Sequence, residues 1–204
     1  MRIARFAHTI VILHGASEKI LCESMRANLR LPMHLISERG GSKPIQIDKL
    51  GDYFAKGAFS RRLDQLSKEQ KIQLVDGIPM NTKVFTIMDT DDCKEHTLKR
   101  YKDGSLFSKS PFSKIITPIF NSPNLDSVME EMGYLIDQRQ KRKSYERIFP
   151  GENGDIVAAK KLRDNVSVLN STNLNILLDH CIDEARKNSF NISNKSTGNK
   201  HNKK

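Results

Sequence analysis

Tryptophan is missing from this 204-residue chain, aromatic residues make up only 6% of it, and no long apolar run interrupts a composition that is 28% charged. The longest apolar stretch, Thr9 to Leu13, is strand-sized, well short of the roughly 20 residues that cross a bilayer. No small-residue cleavage site comes after it, so it does not read as a secretory signal. The expectation is a cytoplasmic protein with no membrane segment. Cysteine is scarce too. Cys22, Cys93 and Cys181 are odd in number and far apart, which argues against a disulfide framework and fits a reducing compartment. Cys93-x-x-His96 and His180-Cys181 bring metal-binding residue types together, but structural zinc usually takes two clean pairs and these fall on different predicted helices.

Two reactive motifs are absent as well. The turn "GGSKP" (40–44) lacks the spacing of a phosphate-binding G-x-x-x-x-G-K-[ST] loop, which excludes ATP binding by that route. No nucleophile elbow exists, and Ser17 near His14 reads as a helix cap rather than a hydrolase pair.

What the chain has in excess is positive charge, +10 net, unevenly spread. From Arg186 onward there are six Lys/Arg and no acid. The end of the chain, "NSFNISNKSTGNKHNKK" (188–204), is nearly free of apolar residues and is expected to be a disordered basic tail. It either solubilises the protein or tethers nucleic acid weakly. A second basic stretch, "DQRQKRKSYER" (137–147), reads as a solvated helix face. With 37% hydrophobic residues, the remainder, 1–187, can bury the core of a single domain.

The apolar pattern gives that domain its class. "HTIVILH" (8–14) is a continuous β-branched run, as in strands buried on both faces of a parallel sheet. Gly15 breaks it, Ser17 can cap the helix after it, and Ile20, Leu21, Met25 and Leu29 recur at helical spacing. Further strands are predicted at 33–37, 83–89 and 114–120, and helices at 45–55, 60–75, 123–138, 155–165 and 172–187. Strand and helix alternate without an internal repeat, which predicts an α/β fold: a mostly parallel sheet of about four strands with flanking helices and a helical C-terminal part over about 123–187. In such a sheet ligands bind at the carboxyl ends of the strands.

The residues at those ends are polar and acidic. "FTIMDTDD" (85–92) runs from an apolar strand into Asp89, Asp91 and Asp92. Alternate residues of an extended chain point the same way, so Asp89 and Asp91 can present two carboxylates to one hard cation. Without a cation, acids buried together must protonate. The plainer alternative is that Asp91 or Asp92 caps a helix starting near Lys94. Glu18 lies on the same rim, where it could approach Asp89 or simply serve the helix dipole. Asn121 and Asp126 come after the last strand.

The combination of "HGASEKI" (14–20) after one strand, "DTDD" (89–92) after another and "IFNSPNLD" (119–126) beyond resembles the Toprim fold, a Rossmann-like class, over about residues 8–130. More closely it resembles the RloB-like and OLD-associated Toprim proteins of bacterial antiphage defence. In that family's pattern Glu18 matches the second glutamate of the first motif, Asp89, Asp91 and Asp92 match the acidic triplet, and Asn121 with Asp126 loosely match the last segment. His14 departs from it, standing where the family has an acid. The resemblance implies Mg²⁺- or Mn²⁺-dependent cleavage of RNA, tRNA included, or of DNA, with Glu18, Asp89, Asp91, Asp92 and Asp126 as metal ligands. His14 would then act as general acid or base, and Lys43 and Lys94 would offset charge on the phosphate. It also implies a partner ATPase that restrains a toxic effector, and leaves a homodimer open. The other reading is a catalytically inert Toprim-like subunit that binds the ATPase or nucleic acid. Imidazole in the acid's place supports it, since neutral imidazole is a poor Mg²⁺ ligand. A nucleotide-processing phosphotransferase is a third.

Overall fold

Four parallel strands between two layers of helices make up the body of the protein in a computed structural model, which describes residues 8–149 and 156–198, with side chains described to Asn188. In chain order the elements are β1 (His8–Leu13), α1 (Ala16–Leu29), β2 (Met33–Ile36), α2 (Ile47–Ala55), α3 (Ala58–Gln70), β3 (Leu74–Val75), β4 (Ile78–Pro79), β5 (Thr82–Asp89), α4 (Glu95–Lys102), β6 (Ile116–Asn121), α5 (Leu125–Glu131), α6 (Lys141–Ile148), α7 (Ile156–Ser167) and α8 (Asn175–Gly198). The sheet order is β2-β1-β5-β6, every pairing parallel. This is the Rossmann-like α/β class that the alternating pattern predicts.

The pleat divides the core in two. Ile10 and Ile12 of β1 join Val84 and Met88 of β5 in one cluster, which α2, α3 and α4 cover with Leu50, Phe54, Phe59 and Tyr101. Val11 and Leu13 join Phe85 and Ile87 in the other, covered by Leu21, Met25, Tyr145, Leu162 and Leu177 from α1 and the C-terminal helices. Both faces are therefore apolar, which is why β1 and β5 read as unbroken hydrophobic runs. Each fully buried Ile, Leu or Phe contributes about 1.5–3 kcal/mol. One polar device crosses this core. Thr86 and Tyr101 share a hydroxyl hydrogen bond of 2.8 Å, and the Tyr101 hydroxyl lies 2.9 Å from the Ile119 carbonyl oxygen, tying α4 across β5 and β6.

The free edge of β6 is covered by the chain between α7 and α8. Asn121 bridges Thr172, the Ser122 amide donates to the Ser171 carbonyl, and the Asn173 side chain both accepts from the Phe120 amide and donates to the Pro118 carbonyl. An edge strand protected in this way cannot template unwanted pairing.

Three expectations are corrected. The helix predicted over 60–75 ends at Gln70, and a small antiparallel hairpin, β3–β4, comes next. Its two-residue turn, Asp76-Gly77, has φ of 50° and 76°, the turn that an Asp-Gly pair favours. The helix predicted over 123–138 stops at Glu131 because Gly133 adopts φ 84°, while the amides of Gly133 and Tyr134 satisfy the carbonyls of Glu130 and Met129. A separate helix, α6, then occupies the basic stretch. The last helix runs beyond 187, its backbone continuing to Gly198, and residues 199–204 of the expected tail lie outside the described residues. Among the described residues no helix is long and apolar enough to cross a membrane.

Candidate functional site

The chain leaves β1 through α1 to place β2 on one side, then returns to lay β5 on the other. The carboxyl ends of β1 and β5 therefore flank the point where strand order reverses, the place where open α/β sheets open a ligand crevice. Two carboxylates meet there. Glu18, in the first turn of α1, is 1% exposed, and its Oε2 accepts the Gly15 amide at 2.8 Å. Its other oxygen, Oε1, is buried and accepts no hydrogen bond from any N–H or hydroxyl, and Asp89 lies within hydrogen-bonding reach of the Glu18 side chain. Asp89, the last residue of β5, is 9% exposed. It accepts the Leu125 amide at the start of α5, 3.0 Å away, and the Asn121 side-chain amide at 3.5 Å. Thr172 donates to the carbonyl oxygen of Asn121 at 2.9 Å, so Asn121 is turned with its amide towards Asp89. Asn121 is thus a positioning residue rather than an oxygen donor.

Both acids resist ionisation. Burial, and then the nearby Asp89 charge, push Glu18 up to about 8. Burial pushes Asp89 up to about 7, against the pull of the Leu125 amide and Asn121. Two half-solvated acids would not behave this way; two buried acids facing one another without a cation would.

The remaining predicted residues are distributed around this pair. His14 is half-buried, and its Nδ1 donates to the Ile45 carbonyl at 3.0 Å, which leaves Nε2 without a hydrogen bond in the described structure. It lies within electrostatic reach of Glu18. Asp91 is exposed, with Oδ2 3.5 Å from the Asn124 amide, and its charge reaches Asp89. The strand ends at Asp89, so the alternation expected to align Asp91 with it does not continue. Asp92 and Lys94 are exposed, and Lys43 is paired with Glu38 on the loop rim. Asp126 is engaged elsewhere. Lys141 pairs with it at 2.7 Å, Tyr145 donates at 2.7 Å and Gln138 at 3.1 Å. Burial would raise Asp126, but these bonds outweigh it and hold the carboxyl below its usual range.

Among the described residues no group of three or more His, Cys, Asp or Glu side chains is gathered to hold a metal. That includes Cys93 with His96. The acids brought face to face are Glu18 and Asp89. Their donor set, two neighbouring buried carboxylates, still fits Mg²⁺, which is commonly held by one or two carboxylates together with substrate phosphates.

Lys141, a cation that reaches this end of the sheet, has no clear mark in the sequence. Its ammonium donates to Ser17 Oγ at 3.0 Å, one residue from Glu18, besides pairing with Asp126. The available signal is its four-residue spacing from Tyr145, which puts both on one face of α6. Over the site lies the loop containing Gly41. A Cβ there would stand 3.3 Å from the Ala16 Cα and the Gly15 carbonyl oxygen, at a φ of +94°. Gly41→Ala is expected to destabilise the fold by about 1–3 kcal/mol and displace the turn that carries Glu18, measured by chemical denaturation.

No family model, no curated protein and no solved structure matches this chain.

Proposed function

We propose that the protein is a metal-dependent nuclease of the Toprim type, in which Glu18 and Asp89 hold Mg²⁺ or Mn²⁺ against a phosphodiester of RNA or DNA. The observation that carries this reading is the buried pair of carboxylates, Glu18 against Asp89, at the strand-order reversal, with no N–H or hydroxyl donor to Glu18 Oε1. A cation is what such a pair calls for, and phosphate oxygens are what complete a two-carboxylate Mg²⁺ shell. When bound, the metal polarises phosphoryl oxygens and lowers the pKa of an attacking water. The chain's own residues do the rest. Leu125 and Asn121 orient Asp89. The Ile45 carbonyl fixes the His14 tautomer with the proton on Nδ1, so Nε2 can accept a proton from the attacking water or pass one to the leaving oxygen. Lys141 supplies positive charge at the same end of the sheet. By the family resemblance, the nuclease would be a toxic antiphage effector restrained by a partner ATPase.

The test is direct. Labelled RNA and DNA are incubated with the protein and Mg²⁺, Mn²⁺ or a chelator. Cleavage with either metal and none with chelator is expected; intact polymers under every condition would reject the nuclease. A second reading, an inert subunit that docks the ATPase or nucleic acid, is favoured by His14 in the acid's place and by the convergence of two acids rather than five. Stable complex formation without cleavage would support it. Products from free nucleotides but not from polymers would point instead to a phosphotransferase.

A further inference from the structure

The basic stretch over 137–147 is not a uniformly solvated face. The inward side of α6 is built into the site: Tyr145 is fully buried, and Lys141 and Tyr145 both bind Asp126, with Lys141 also on Ser17 beside Glu18. Arg142 is anchored to α1 through Glu23 at 3.0 Å. What remains outward is cationic. Arg139, Lys143 and Arg147 are exposed, and among the described residues no acid pairs with any of them. Lys143 and Arg147, four apart on α6, share one face and are separated by about 6 Å along the axis. Arg139 stands on the short helical turn just before α6, at the end nearest Lys141.

We propose that Arg139, Lys143 and Arg147 form a docking strip for the phosphate backbone of a nucleic-acid strand, on the outward face of the helix whose inward face, through Lys141 and Tyr145, packs at the Glu18 end of the sheet. The inference rests on the nuclease reading for the site and adds where its substrate binds. The spacing of the charges suits successive backbone phosphates, and backbone contact carries no base preference. Exposed aromatic side chains for base stacking are absent from this part of the described surface, since Tyr145 is buried. Recognition here is therefore electrostatic and salt-dependent.

The experiment uses the full chain carrying Asp89→Asn, so that binding is read without cleavage. Anisotropy of a labelled single-stranded RNA is measured across a salt series for this protein, for the same protein with R139Q, K143Q and R147Q, and for one with K68Q and K71Q on the opposite layer. Loss of three phosphate contacts predicts about 50-fold weaker binding near 0.15 M salt and a log–log salt slope shallower by about 2. The control pair should change neither. Equal affinity and slope in the triple variant, or equal loss in the control, would overturn the strip even if cleavage by the wild type is real. Binding that depends on the strip in a protein that never cleaves would instead separate the docking surface from the nuclease reading. Circular-dichroism melts confirm that the exposed substitutions leave the fold unchanged.

Discussion

On the proposed nuclease reading, Asp89→Asn is expected to lower Mg²⁺-dependent cleavage by about 10²–10³-fold, the range seen when one preorganised electrostatic group is removed from an active site. The asparagine is nearly isosteric, and its carbonyl oxygen can keep the Leu125 amide bond that holds the strand end to α5. The loss should therefore appear in rate and metal affinity rather than in folding. Two neighbouring carboxylates serve as contrasts. Asp91→Asn, at the exposed rim, should reduce cleavage less. Asp126→Asn removes the partner of Lys141 and Tyr145 and should lower stability by about 1–3 kcal/mol. Single-turnover cleavage paired with thermal melts for all three variants checks this ordering. An Asp126→Asn protein that folds normally but loses as much rate as Asp89→Asn would move the essential acid from the end of β5 to the start of α5.

The apo protein is expected to lose stability as pH rises from about 4 to about 8, and divalent metal to restore it. Glu18 and Asp89 ionise near their ordinary values of 4.5 and 3.8 in the unfolded chain, but only up to about 8 and about 7 in the folded one. Between those limits the folded state holds more protons than the unfolded state, so raising the pH favours unfolding. Asp126 acts in the other direction. Its carboxyl is held below its usual range, so its contribution is present at neutral pH and lost as pH falls through the folded value. Glu18→Gln removes one of the two opposed charges, and at pH 8 it should stabilise the metal-free protein by about 1–3 kcal/mol. That corresponds to a rise in melting temperature of roughly 2–4 °C per kcal/mol for a chain of this size. Near pH 5 the same substitution should change little. Added Mg²⁺ should raise the wild-type melting temperature at pH 8 and leave Glu18→Gln nearly unmoved. Differential scanning fluorimetry over this pH range, with and without metal, reads all four conditions. A wild-type protein that gains stability steadily from pH 4 to pH 8 without metal would show that the two acids are not opposed.

The sheet is readable because strands buried on both faces leave a local signature. "TIVIL" and "VFTIM" have no polar side to obscure them, and the acids that come after them, Glu18 in the next helical turn and Asp89 at the strand end, fall on one rim of a parallel sheet. Glu18 and Asp89 can be paired from that alone. The alternation rule fails one residue later. Thr90 gives its amide to the carbonyls of Asn121 and Pro123, so the chain turns at the strand end and Asp91 moves to the rim. The partners of Asp126, Lys141 and Tyr145, are not legible in the sequence, because they are supplied by tertiary packing of a helix whose sequence is polar on nearly every side. Only its four-residue spacing from Tyr145 distinguishes Lys141, turned inward, from Lys143, exposed two residues later. The hairpin at 74–79 is masked for a different reason. Its Asp-Gly turn is a strong local signal, but the apolar spacing of the helix before it continues past Gln70, where the helix ends.

Whether Glu18 and Asp89 together hold a divalent cation, as proposed, is tested most directly by Mn²⁺ titration followed by electron paramagnetic resonance. At pH 8 the wild-type protein is predicted to bind Mn²⁺ saturably, Mg²⁺ to compete it away, and both Glu18→Gln and Asp89→Asn to lose the site while keeping the wild-type circular-dichroism spectrum. Undiminished Mn²⁺ binding in the folded double variant, or no saturable binding in the wild type, would contradict it.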